Sequence, residues 1–230
     1  MEEILKNFSL EEIIFLEENY DKQFLAIKKL VEKDFEKACK FSVINASVSY
    51  ALIMTGENYW LKFSEYFLEK DFTFENFLNF LKTYNPIQLE AKIKRARKIY
   101  EWIKSKEIIT DLVKFNKESA KVLNQKEDSK TIVFSTKIYG YCLRAKGLKI
   151  IFPFEIFIPI DKRISRISKE KDFWINLSKK LKIPLLHIDS LIWITFGLSY
   201  EEISKMEEKL KEKILKLKIF LERNYANRLE

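Results

Sequence analysis

Three short strings of the sequence hold the side chains best suited to chemistry. Lys137 lies within TIVFSTKIYGY, Asp161 follows PFEIFIPI, and Asp189 and Trp193 share HIDSLIWITF. In the apolar setting of Lys137 an ammonium would be poorly solvated and its pKa pushed down. More of the free amine that a nucleophile requires would then be present, and a neutral amine can attack a sugar carbon. The competing arrangement is a half-buried helix from which the lysine extends its head into water. Asp161 stands between a proline-containing run and the basic segment KRISRIS, where a helix N-terminus and the cations Lys162 and Arg163 would keep it ionised. A stable carboxylate suits stabilisation of a developing oxocarbenium ion or orientation of a nucleophile. Simple helix capping would use the same position equally well.

Asp189 and Trp193 are four residues apart, so one helix face would pair a hydrogen-bond acceptor with a flat aromatic surface. A purine fits that combination: its ring can stack on the indole while the carboxylate accepts from N–H groups on its Watson–Crick edge. Core packing of Trp193, with Asp189 in the first turn of the helix, is the structural alternative. His187 is the sole histidine and, without a ligand set around it, reads as a structural hydrogen-bonding residue. Lys92, Lys94, Arg95, Arg97 and Lys98 crowd one segment, which could lie against phosphates or simply form a solvated face.

The rest of the composition narrows the chemistry further. With four Gly, two Cys and one His in 230 residues, there is no Gly-rich phosphate loop, no dinucleotide fingerprint and no paired His or CxxC metal site. Catalysis must therefore lean on Lys, carboxylates, Tyr or an activated water, and no metal or organic cofactor is called for. A net charge of +8 favours a polyanionic partner such as nucleic acid or an acidic membrane surface. Cys39 and Cys142 are too few for a disulfide scaffold, so a reducing cytoplasm is the expected compartment and Cys142 a packed thiol. No run of about 18 apolar residues exists to span a membrane, and the N-terminus MEEILKNFSLEE is acidic and unlike a signal peptide.

The elements that must position these residues read as mainly α-helical, with one extended or looped stretch. Ser9 and Glu12 have capping-box spacing, Asp21 can cap a helix from Lys22 through Val31, and a further helix is expected from Phe41 to about Thr55. Thr73 can cap FENFLNFLKTY, and Pro86 marks the turn before the basic helix that begins near Glu90. The Lys137 string could run on as helix or turn at Gly140. IIFPFEIFIPI, with Pro153 and Pro159, cannot be a regular helix, and Asp161 is placed to cap KRISRIS. Pro184 separates a short helix from HIDSLIWITF, which Gly197 can end. Ile203, Met206, Leu210, Ile214, Leu217 and Leu221 predict one buried stripe on a last element.

The order of these strings resembles the helix-hairpin-helix DNA glycosylases, most closely the archaeal 8-oxoguanine DNA glycosylase (AGOG) family. It is carried by KTIVFSTKIYGY, PFEIFIPIDKRISRI and IPLLHIDSLIW, with weaker echoes in DKQF, INASVSYALIMTGENYW and EAKIKRARK, over roughly residues 20 to 197. The resemblance implies an all-α fold of two helical subdomains with the active site in the cleft between them, a single catalytic domain over 1–230, and the hairpin at about 120–170. It further implies that Lys137 forms a Schiff base with the sugar, that Asp161 assists, and that Gln23, Trp60, Asp189 and Trp193 line the base pocket. The activity implied is excision of 8-oxoguanine from double-stranded DNA followed by β-elimination, by a monomer in a prokaryotic cytoplasm at the nucleoid. A glycosylase of the same superfamily for another damaged or mismatched base, or a non-catalytic helical DNA-binding protein, are the other readings. The chain lacks the Leu-Pro-Gly-Val-Gly hairpin pattern of the wider superfamily, and two cysteines cannot form the four-cysteine iron–sulfur site of some relatives.

Overall fold

The computed structural model describes residues 1–161 and 163–226, with side chains described as far as Asn224. Among them there are helices and no strands, as an all-α fold requires. In chain order the helices are α1 (Glu2–Leu5), α2 (Leu10–Tyr20), α3 (Lys22–Lys33), α4 (Phe35–Val48), α5 (Gly56–Glu69), α6 (Phe74–Tyr84) and α7 (Leu89–Ile103). They continue with α8 (Leu112–Leu123), α9 (Lys130–Ala145), α10 (Ile164–Ile167), α11 (Lys171–Leu181), α12 (Leu185–Gly197), α13 (Tyr200–Ser204) and α14 (Glu208–Ala226). No helix among the described residues is long and apolar enough to cross a membrane. The chain divides into two compact units, one formed by residues 1–21 and 157–230, the other by residues 22–156.

The discontinuous unit is built on the apolar faces of α2, α12 and α14. Ser9 and Glu12 form the expected capping box at the start of α2, with Ser9 Oγ accepting from the Glu12 amide at 3.2 Å and Glu12 accepting from the Ser9 amide at 2.9 Å. This presents Ile13 and Leu16 to a core that includes Ile188, Leu191 and Ile192 of α12 and Ile214 and Leu217 of α14. All six stripe residues from Ile203 to Leu221 are buried as predicted, but not on one element: Ile203 is on α13, Met206 in the connection after Ser204, and the other four on α14. His187 is structural as expected: its Nδ1 lies 2.9 Å from Glu17 Oε1 of α2, and both side chains are fully buried. Lys213 and Glu12 tie α14 to α2 at 2.5 Å.

The continuous unit packs α4 against α3, α7 and α9, and α3 against α5 and α9. Phe41, Phe63, Phe67, Phe77 and Phe80 supply its aromatic core, with Phe67 stacked on Phe72 at 5.2 Å. The helix expected from Phe41 to about Thr55 is a correction. It starts at Phe35, because Asp34 accepts from the Lys37 amide at 3.0 Å, and it stops at Val48. The stop is imposed from outside the segment, as residues far along the chain take the last carbonyls of α4. Arg95 Nε donates to Ser47 O at 2.7 Å, Asn85 Nδ2 to Val48 O at 3.0 Å, and Lys92 Nζ lies 3.5 Å from Ala51 O. Ala51 itself sits at a positive φ of 46°, a left-handed backbone that breaks the helix.

The same contacts revise the basic helix. Lys92 is fully buried, bonded to Asn85 Oδ1 and over the Tyr50 ring, and Arg95 is half-buried, so only Lys94, Arg97 and Lys98 of the five cations face solvent. The segment braces the α4–α5 connection more than it offers a surface to phosphates. Cys39 of α4 and Cys142 of α9, remote in sequence, are buried thiols brought side by side. Burial and the neighbouring Cys142 push the Cys39 thiol far above its ordinary range.

Candidate active site

Helix α9 is unbroken through Gly140, which settles the alternative left by the sequence. Its start follows the α8–α9 turn, where Asn124 takes a left-handed φ of 50° and its backbone N–H donates helix-ending bonds to the Ala120 and Lys121 carbonyls. Tyr139 stacks on Phe115 of α8 at 4.1 Å and accepts from the Ile109 amide, which fixes the rotation of α9. Gly140 is required where it stands: a Cβ there would come within 2.5 Å of Phe152 Cε1 and 3.3 Å of Leu112 Cδ1. Phe152 belongs to the irregular segment 149–160, which is neither helix nor strand, as its two prolines predict.

The rotation of α9 sends Lys137 inward. At 1% exposure it does not extend its head to water, and its Nζ lies 5.6 Å from the centre of the Tyr141 ring, one turn along the same face. Arg144, one further turn along, is buried with its guanidinium over Tyr141 at 5.8 Å and over Phe24 of α3 at 5.6 Å. Phe24 meets Tyr141 edge to face at 5.3 Å, so α3 packs on α9 at this point, and Gln23, the residue before Phe24 on α3, is buried. Trp60 of α5 is also buried and meets Phe134, three residues before Lys137, edge to face at 6.2 Å. The continuous unit thus gathers Gln23, Trp60 and Lys137 around one helix. Tyr141, Arg144 and Phe24 went unnoticed in the sequence; the i, i+4, i+7 spacing of Lys137, Tyr141 and Arg144 was the available signal.

The discontinuous unit carries the other three residues. Asp161 caps as its position predicts: Oδ1 accepts from the amides of Arg163 at 2.8 Å and Ile164 at 2.9 Å. The helix that follows is shorter than KRISRIS, since α10 covers Ile164–Ile167 and Ser168 is already extended. Lys162 lies outside the described residues. Asp189 is buried in the second turn of α12, and Trp193, half-exposed, is one turn further on. The Trp193 indole is therefore not core. One of its faces is covered by Arg163, whose guanidinium carbon lies 3.8 Å from the ring centre, with Phe196 at 5.7 Å from the same group. Arg163 was named in the sequence only as a neighbouring charge; its contact with an aromatic ring thirty residues on has no local signal.

Each unit thus carries its own group of candidate side chains, braced by the contacts described above. One presents a buried amine among aromatic rings; the other presents a hydrogen-bonded carboxylate, a second buried carboxylate and a partly open indole. A buried amine suits covalent attack at an electrophilic carbon, and in the other unit indole with carboxylate suits a flat heterocycle bearing N–H groups.

Comparison with known proteins agrees with this chemistry. The chain is 41% identical over 199 residues to an N-glycosylase/DNA lyase of Nanoarchaeum equitans, covering 84% of this chain and 88% of the relative. It is 33% identical over 231 residues to one of Methanopyrus kandleri, with 92% and 94% covered. Among solved structures it is similar to the 8-oxoguanosine complex of Pa-AGOG, an 8-oxoguanine DNA glycosylase from Pyrobaculum aerophilum. The TM-score is 0.80 at 25% identity, over 93% of both chains. The model of the AGOG family, described as N-glycosylase/DNA lyase, matches residues 2–224, and the chain belongs to that family.

Proposed function

We propose that this DNA glycosylase/lyase removes 8-oxoguanine from duplex DNA with Lys137 as its nucleophile, acting as a monomer on the genome in the cytoplasm. The observation that carries the reading is the burial of Lys137 on the aromatic face of α9, in a chain that belongs to the N-glycosylase/DNA lyase family. The 8-oxoguanosine bound in the Pa-AGOG structure supports the choice of lesion.

In this reading an extruded base stacks on Trp193, and Asp189 accepts from the N–H groups of its Watson–Crick edge. The Gln23 amide meets a remaining polar edge, and Trp60 offers a second aromatic surface for the base. The free amine of Lys137 attacks C1′ as the bond from C1′ to the base nitrogen breaks and the base departs with that electron pair, its proton passed on by Asp161 from the attacking nitrogen. Asp161 stabilises the positive charge on the sugar and receives the proton shed by the attacking nitrogen. Opening of the sugar ring gives an imine between Nζ and C1′. Loss of a C2′ proton then expels the 3′ phosphate and cuts the strand. The backbone bonds that hold Asp161 Oδ1 keep that carboxyl in one orientation for both roles.

Borohydride trapping on a labelled duplex with one 8-oxoguanine tests the assignment. A covalent adduct with the wild type, absent on undamaged duplex and absent from Lys137→Gln, is expected. Base release and strand cleavage at wild-type rates in Lys137→Gln would overturn it.

A further inference from the structure

Arg163 joins two of the residues used in this reading. Its backbone amide donates to Asp161 Oδ1 at 2.8 Å, and its guanidinium lies over the Trp193 ring at 3.8 Å from the centre. The plane of a guanidinium matches that of an indole, and attraction to the ring's π density holds it there. Phe196, one turn beyond Trp193 on α12, flanks the same guanidinium at 5.7 Å and limits its sideways movement. The contact therefore covers one face of the partly buried indole, so a base that stacks on it must take the other.

We propose that Arg163 is a positioning residue for base recognition: it backs Trp193 as the outer layer of a guanidinium–indole–purine stack. A cation on one face draws π density towards itself, so the opposite face becomes a better partner for an electron-rich purine such as one carrying an extra oxygen at C8. The stack also restrains the indole before the base arrives, which lowers the ordering cost of binding. Because Arg163 is anchored through its own amide to Asp161, the layer that holds the base and the carboxylate assigned to the sugar share one short segment of chain. This inference rests on the reading of Trp193 as the base-stacking surface.

The test measures equilibrium binding of Lys137→Gln protein, in which turnover is blocked, to two duplexes. One carries a single 8-oxoguanine, the other a tetrahydrofuran abasic analogue at the same position, which offers no base to stack. Adding Arg163→Ala should weaken binding of the lesion duplex about fivefold, the worth of a partly exposed cation–π contact, with the abasic duplex bound as before. Arg163→Lys, which keeps the charge and loses the plane, should not restore lesion binding. Equal loss on both duplexes with rescue by Arg163→Lys would make Arg163 a phosphate contact and overturn the proposal. Tighter lesion binding by Arg163→Ala would also overturn it, because the guanidinium would then be competing with the base for one face. Trp193→Leu is measured alongside. If it leaves lesion and abasic binding equally unchanged, the base-stacking reading itself fails; if it weakens only lesion binding while Arg163→Ala does not, the backing role alone is refuted.

Discussion

Lys92 is the most informative position to perturb, because its buried ammonium has a stability signature with a defined sign. Burial lowers its pKa from 10.5 to about 8. The unfolded chain holds this proton up to about pH 10.5, whereas the folded protein releases it near pH 8. Between those values the unfolded state binds more protons, so raising the pH favours folding. Each unit of difference is worth about 1.4 kcal/mol, so the buried charge costs the folded state at most about 3.5 kcal/mol below pH 8. That cost should fade progressively between pH 8 and pH 10.5. The Tyr59 phenol, bonded in the same network, is pushed upward by its own burial and does not titrate in this window. The assay is urea denaturation of the wild type and of Lys92→Met across pH 7 to 10.5. The difference between the two proteins cancels other titrating groups, and it should move in favour of the wild type by up to about 3.5 kcal/mol over the range. A difference that stays flat with pH, or moves the other way, would refute the reasoning. It would mean that the bonds to Asn85 and Ala51 and the Tyr50 ring fully replace the hydration the ammonium has lost.

Two further perturbations test how the helices that carry the candidate residues are supported. Gly140→Ala gains about 1 kcal/mol of helix propensity but drives a methyl into Phe152, an overpacking that costs about 1–3 kcal/mol, so a lower Tm is expected; a Tm equal to or above the wild type would show that Phe152 gives way freely. His187→Leu or Glu17→Leu should each destabilise by about 3 kcal/mol, because either leaves a polar group buried beside an apolar one, whereas the double variant should cost clearly less than the sum; strict additivity in a double-mutant cycle would sink the idea that the pair acts as a unit.

The parts of the fold that could be read in the sequence are those governed by neighbours within a few residues. The Ser9 box, the Thr73 cap, the double bond to Asp161 and the proline-broken run to Ile160 all follow from local backbone chemistry. The end of α4 was not readable, because Asn85 and Arg95, almost forty residues or more away, take its Val48 and Ser47 carbonyls, while Lys92 holds Ala51 in the connection beyond. The same holds for His187 with Glu17 and for Cys39 beside Cys142, whose meetings depend on how helices pack. For the candidate site, spacing singled out Lys137, Asp161, Asp189 and Trp193. Gln23 and Trp60 came only with the family resemblance, since nothing in their own surroundings marks them. The cover that Arg163 places on Trp193 was invisible for the same reason as the end of α4.

The division of the chain also bears on how the protein is made. Residues 22–156 form one uninterrupted unit, so a ribosome delivers α3 to α9 complete and in order, ready to pack before the remainder exists. The first helices have no such convenience. Ile13 and Leu16 of α2, and Glu17 with its buried carboxylate, must wait until α12 has been synthesised before their core and their histidine partner are present. During that interval the apolar face of α2 stands uncovered. A nascent chain that stalls before Leu185 therefore exposes that sticky face, marking it for chaperones or proteolysis although its central helices are already made.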